Sequence, residues 1–388
     1  MNVYVVGAGV SCQVGYPPGA NLFSEIDLCI RGRRASLDRK EYFEEWPNLC
    51  RWLERNRDPL VHAAYITGDI ENILTALDFA RILRGQGHER VVRAMRAPCQ
   101  DGANDAQADS MLIDRRTDLH LRYSCILRWA LVRFFQARHH DDLKRFQAGE
   151  EGWPLLRRFG ERVLPGDAVV TFNYDASLER VLLEQGKWNP CDRYGLGTIR
   201  LVARGSAAQR LPSASSAVPV FHLHGSFGWY TNFSPSSASR TRISLSTDFL
   251  DGLDIGAEDV TWKNNDASSN PSHVDPIVIY PSFFKDYDDW KQYGAIPELW
   301  RLAADALRAA DHIYVVGYSL PPGDSAALTF LVTNCDRKRV TIINNHKSTC
   351  IRLRQLLGPW SGVVANLAPV VDFKQWVETA RWDTDCQR

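Results

Sequence analysis

The chain lacks paired cysteines. Its nine cysteines are an odd number, scattered without a single Cys-x-x-Cys pair. That pattern excludes a disulfide framework and a cysteine-rich structural zinc site, and it implies free thiols in a reducing compartment. Net charge is absent too: 46 Lys plus Arg balance 46 Asp plus Glu, so nothing in the balance points to nucleic acid or an anionic membrane surface. No apolar run reaches membrane-spanning length, and the best candidate, Cys125 to Phe135, is interrupted by Arg128 and Arg133. No basic leader precedes an apolar segment, because the sequence opens on a strand-like run. These absences lead us to expect a cytoplasmic protein of ordinary globular composition, its 388 residues sufficient for one large domain or two smaller ones.

What is present begins at residue 3. Val3, Tyr4, Val5 and Val6 form a β-branched and aromatic run suited to a strand buried on both faces. Gly7 and Gly9 follow at once. A Gly-x-Gly turn after a strand lets the backbone approach a phosphate with its amides facing the anion. The dinucleotide fingerprint wants a third glycine, and Cys12 stands in its place. Gly15 to Gly19 reads as a loop, and Asn21 is placed to cap a helix over Leu22 to Ile30.

From about Arg31 to Arg162 the pattern is helical. Asp69 is placed to cap Ile70 to Leu83, with Ile70, Ile73, Leu74 and Leu77 on one face. Asp118 to Gln136 puts Leu119, Tyr123, Ile126, Leu127, Ala130, Leu131 and Phe134 on another, and Ala97 to Ser110 between them reads as a loop. Strand signals return at Ala168 to Phe172, Val218 to Leu223, Pro276 to Tyr280, His312 to Val316 and Arg339 to Ile343, with helices in the gaps. Three Ser/Ala-rich stretches, Gly205 to Ala217, Ser234 to Ser239 and Asn264 to Ser272, read as exposed loops.

Strands alternating with helices imply right-handed crossovers and a mostly parallel sheet, in which ligands bind at the carboxyl ends of the strands. The polar clusters Gly7-Ala8-Gly9-Val-Ser11, Asn173-Tyr-Asp175, His224-Gly-Ser226, Gly317-Tyr-Ser319 and Asn344 all fall at such ends. His222 lies further inside its strand and is read as structural, as is Tyr318; Lys285 is read as solvated. Asn173 and Asp175 also suit a helix cap, a role compatible with chemistry.

These five segments, in this order, resemble the sirtuin superfamily, and more closely its prokaryotic sirtuin-like NAD-hydrolysing branch. Gly7-Ala-Gly9-Val-Ser11 resembles the sirtuin Gly-Ala-Gly-x-Ser turn; Thr171 to Asp175 resembles Thr-x-Asn-x-Asp. Leu223-His224-Gly225 is similar to the segment carrying the catalytic histidine, Gly317 to Leu320 to Gly-Thr-Ser-Leu, and Ile343-Asn344 to the late Ile-Asn. The chain departs from the deacylases in having no zinc-binding cysteine pairs and no Phe-Arg after the glycine loop. The helical stretch and the Asp69-Ile-Glu-Asn72 segment instead resemble the antiviral branch.

The resemblance implies a Rossmann-like α/β domain from residues 1–20 and 161–388, with a helical insertion over 21–160 after the first strand. It implies NAD as substrate, no metal, a homo-oligomer, and a possible defence partner such as a HerA-type ATPase. Catalysis falls to Asn173, His224 and Asp175, and cofactor binding to Gly7, Ala8, Gly9, Ser11, Thr171, Gly317, Ser319 and Asn344. An NAD-sensing module that regulates a partner enzyme, and a zinc-free deacylase or ADP-ribosyltransferase, stay open as alternatives.

Overall fold

The structure is a computed structural model. It describes residues 1–32, 40–56, 59–83, 119–188, 200–202, 218–231, 243–246, 276–281, 295–321, 323–358 and 372–379. The loops expected at 97–110, 205–217, 234–239 and 264–272, and Lys285, lie outside these residues.

The first strand, β1 (Asn2–Val6), has its run from Val3 to Val6 buried, as a strand covered on both faces requires. A helical turn, α1 (Ala8–Ser11), and a 3₁₀ turn over Cys12–Val14 follow. Next come α2 (Gly19–Gly32), α3 (Lys40–Arg55), α4 (Pro59–Thr67), α5 (Ile70–Leu83) and the long α6 (Leu119–Ala148). The first of these starts earlier than the Asn21 cap predicts, because the Asn21 amide already bonds the Pro18 carbonyl at 2.9 Å. At α5 the cap forms as expected: Asp69 Oδ1 accepts from the Glu71 amide at 2.8 Å, and Ile70, Ile73, Leu74 and Leu77 are buried.

The helix α6 is the centre of this group, touching α2, α3 and α5. Tyr123, Ile126, Leu127, Ala130, Leu131 and Phe134 are buried on it, whereas Leu119 is 46% exposed. Helical side chains lean toward the N-terminus, and Leu119, at the first position, has no preceding turn to lie over. Arg128, which breaks the apolar run, forms an interior pair with Asp78 at 3.0 Å, and Ser124 donates to the same carboxylate. Among the described residues no helix is long and apolar enough to cross a membrane.

Two arginines near the other end of α6 reach the loop that follows α1. Arg138 donates to the Gly15 carbonyl at 2.6 Å and Arg145 to the Val14 carbonyl at 2.7 Å. Both also face the buried carboxylate of Asp142, at 3.5 and 3.3 Å. Burial pushes Asp142 up to about 6, against the opposing pull of the Tyr16 hydroxyl and Arg138.

Then α7 (Trp153–Arg162) leads to β2 (Ala168–Thr171) and α8 (Ser177–Glu184). The expected boundary at residue 160 cuts α7. That helix belongs with the sheet, since Phe159 meets the Tyr4 ring edge-on at 5.7 Å. The remaining elements are β3 (Arg200–Val202), β4 (Val220–His222), β5 (Gly225–Thr231), β6 (Ile243–Ser246), β7 (Pro276–Val278), α9 (Ala295–Ala309), β8 (His312–Val316), α10 (Ser325–Asn334), β9 (Arg339–Ile343), α11 (Lys347–Leu357) and α12 (Phe373–Glu378).

A five-stranded parallel sheet takes the order β4-β2-β1-β8-β9, the Rossmann-like arrangement. From β1 the chain winds outward through β2 and β4, then returns to place β8 on the other flank of β1. The strand order therefore reverses between β1 and β8, and the crevice at a reversal is where such sheets take ligands. A second, four-stranded sheet, β3-β6-β5-β7, stands beside the mostly parallel sheet expected, and Pro276 to Val278 belongs to it, pairing antiparallel with β5. Gly225, at φ +76°, turns the chain out of the parallel sheet immediately after His224 and starts β5 there.

The ends of β1 and β8 touch backbone to backbone. The Gly7 amide donates to the Val316 carbonyl at 3.0 Å and the Gly9 amide to Gly317 at 2.9 Å. A Cβ on Gly7 would overlap Tyr318, one on Gly9 would lie 2.8 Å from the Gly317 oxygen, and one on Gly317 would lie 2.7 Å from the Val10 nitrogen. Gly9→Ala is expected to lower unfolding stability by about 1–3 kcal/mol. Gly317→Ala should cost more, because φ there is +61°. Urea unfolding measures both, and unchanged midpoints would refute the close contact.

Candidate functional site

The carboxyl ends of the parallel strands carry the residues singled out from the sequence. Beyond β2, Asn173 donates from Nδ2 to Ser11 Oγ at 2.9 Å, and Ser11 donates onward to Asp175 Oδ2 at 2.6 Å. Asp175 Oδ1 accepts the Ser177 amide at 3.0 Å, which starts α8, and Thr171 Oγ1 accepts the Asn173 amide at 3.1 Å. The turn after β1 and the turn after β2 are thus one hydrogen-bonded unit. Within it Asp175 accepts the first amide of α8 with one oxygen and anchors Ser11 with the other. Asn173 is only partly buried, and with Nδ2 directed to Ser11 its Oδ1 is the atom left for a ligand.

His224 lies past the end of β4, in the turn before β5, and is 5% exposed. Its backbone is held from three sides. Leu223 donates its amide to Thr171 at 2.9 Å, the Trp300 indole donates to the Leu223 carbonyl at 2.9 Å, and the Ile279 amide donates to the His224 carbonyl at 2.8 Å. The ring sits edge-on to Phe172 at 5.1 Å, and its Nε2 is 3.2 Å from Asp324 Oδ2. Phe172 stacks flat on Tyr318 at 4.5 Å, which joins the histidine's surroundings to the β8 turn.

His222 is the structural histidine that its place in the strand implied. It is fully buried, with Nε2 bonded to the Glu179 carboxylate and Nδ1 facing the Asn173 carbonyl at 2.9 Å. Burial opposes its charged form, but the Glu179 carboxylate and the Asn173 carbonyl outweigh that and raise its pKa above 6.5. Because His224 has left the regular strand, the two histidines engage different neighbours, and the shared face that residues two apart have in a continuous strand does not apply.

Ser319 and Asn344 are less closely joined to this cluster. Asn344 donates to the Tyr318 carbonyl at 3.4 Å and accepts the His346 amide at 3.0 Å. Ser319 is exposed, and its carbonyl accepts from Arg352. Gly7 and Gly9, expected to face their amides to a phosphate, have them engaged by the β8 turn; their lack of side chains is explained by that contact. Leu320 closes the turn at φ +49°, a left-handed backbone that side chains rarely adopt and that tends to mark functional turns.

Sequence reasoning missed Asp324, Glu179 and Phe172. Asp324 does carry a local signal, as the capping acid of α10, whose Oδ1 accepts the Ala327 amide at 3.1 Å. Nothing local announces its second partner, His224. Elsewhere, between α3 and α6, a polar cavity of about 630 Å³ is lined by Glu45, Arg51, Trp52, Arg55 and Arg122 among others, and shares no residue with the strand-end cluster. Among the described residues no group of three or more His, Cys, Asp or Glu is arranged to hold a metal ion.

The His222–Glu179 pair has a defined pH dependence. With the folded pKa above 6.5, its stabilisation is fully present below about pH 6.5 and is lost as pH rises through the raised value. Breaking a buried pair costs about 3–5 kcal/mol. Glu179→Gln is therefore expected to destabilise by that amount at pH 6 and by less at pH 9.5, in urea titrations; a loss independent of pH would contradict the pairing.

Comparison with protein-family models and with characterised proteins gives no match, so the functional reading stands on this geometry and on the motif resemblance.

Proposed function

We propose that the strand-end cluster binds NAD and hydrolyses the bond between nicotinamide and ribose. The observation that carries this reading is the union of Ser11, Asn173 and Asp175 beside a buried, backbone-locked His224, at the crevice where the strand order reverses. The order of the motifs along the chain supports it.

In NAD the leaving group is already a cationic pyridinium, so no strong general acid is needed. Its departure leaves oxocarbenium character at the ribose, as in glycoside cleavage. Water adds to the anomeric carbon and loses one proton, so NAD and water become nicotinamide, ADP-ribose and a proton. The protein's task is to hold the ribose, keep bulk solvent away and orient one water. Asn173 Oδ1 suits the water or a ribose hydroxyl, because Ser11 fixes the amide's other end. His224 takes the proton, the general-base role that imidazole fills most often. Asp175 acts through Ser11. Phe172 and Tyr318 supply an apolar wall. Ser319 and Asn344 remain the candidates for the adenosine half. A role in antiviral NAD depletion, as an oligomer and with a defence partner, rests on the family resemblance.

Nicotinamide release from NAD, followed by chromatography, tests this directly. Wild type, assembled with any oligomer or partner it requires, is expected to release nicotinamide, and Asn173→Ala and His224→Ala to fall by at least about 10²-fold. Tight binding without release would favour the sensor, and labelled ADP-ribose on protein would favour the transferase. Equal turnover by all three proteins would remove the site.

A further inference from the structure

Resting on the hydrolase reading above, one residue outside the sequence motifs gains a role. We propose that Asp324 is a positioning residue for His224. It holds the imidazole in the tautomer that carries hydrogen on Nε2, so that Nδ1 is the nitrogen that accepts the proton from water.

The geometry is specific. Asp324 is 1% exposed, and its Oδ2 lies 3.2 Å from His224 Nε2. A carboxylate only accepts hydrogen bonds, so a neutral His224 in this contact must carry its hydrogen on Nε2. His224 Nε2, the Tyr318 hydroxyl at 3.4 Å and the Ala327 amide at 3.1 Å converge on Asp324. The amide fixes the carboxyl at the head of α10, and Tyr318 is clamped by its stack on Phe172. With the His224 backbone locked by Trp300 and Ile279, both ends of the contact are rigid. A catalytic imidazole is useful only when the correct nitrogen carries the lone pair, and a buried carboxylate behind it sets that choice.

A helix cap alone would also bury an aspartate here. Asp324→Asn separates the two roles, because asparagine caps a helix as well as aspartate does, yet its amide can donate toward Nε2. The experiment combines nitrogen-15 histidine NMR with steady-state kinetics on wild type and Asp324→Asn, the His224 signal being assigned by its loss in His224→Gln. The expected result is an Nε2–H tautomer in wild type, a switch to Nδ1–H or a mixture in Asp324→Asn, and an unfolding midpoint close to wild type. For NAD hydrolysis, kcat should fall by about 10²-fold or more with little change in KM. An Nδ1–H tautomer in wild type, or a variant with unchanged tautomer and kcat, would overturn the proposal. The expected tautomers in a protein that never turns over NAD would support the positioning and overturn the hydrolase reading, so the two failures are distinct.

Discussion

Everything at the candidate site depends on a contact with no side chains between its backbones, where the turns after β1 and β8 meet. Neighbouring strands sit close because their amides and carbonyls pair, but the turns beyond them normally diverge. Here Gly7, Gly9 and Gly317 let the pairing continue past the last strand residue. The turns on the two sides of the strand-order reversal are therefore held together, and Tyr318, just past β8, is pressed against Phe172, just past β2. That stack supports the wall on which His224 rests.

The polar residues around this crevice each hold a structural place and a site place at once. Asp175 starts α8 and anchors Ser11; Asp324 starts α10 and contacts His224. Glu179 secures His222, which in turn bonds the carbonyl of Asn173. Buried carboxylates are costly unless paired, so their presence here fixes side-chain orientation before any ligand arrives. The helical insertion adds a hold from outside the sheet. Arg138 and Arg145, on α6, grip the carbonyls of Gly15 and Val14 only a few residues beyond Ser11. The same helix reaches the second sheet, where Phe135 stacks on Phe227 at 4.5 Å. One long helix thus ties the insertion to the loop after α1 and to β5.

How much of this was legible depends on distance along the chain. Local periodicity located β1, the apolar face of α5 with its Asp69 cap, and the strand ends carrying Asn173, His224 and Asn344. Features set by partners far away were misread or missed. The glycine turn reads as a phosphate cradle because a Gly-x-Gly after a strand suits one; the reason the structure gives, the β8 turn, lies some three hundred residues later in sequence. Pro276 to Val278 has the composition of any buried strand, and composition cannot say which sheet receives it. Asp324 caps α10, which is a local role, but its contact with His224 exists only once β4 and β8 have been brought into the same sheet. Leu119 fits the helical spacing and still escapes burial, because periodicity does not know where packing stops.

The central claim is that the five strand-end segments form one ligand site for NAD. Hydrogen–deuterium exchange of the His224→Ala protein, with and without NAD, tests it independently of turnover. The account predicts slower exchange together in segments 7–11, 171–175, 223–226, 317–320 and 343–346. Protection confined to α3 and α6, around the polar cavity, or no protection anywhere at saturating NAD, would contradict it.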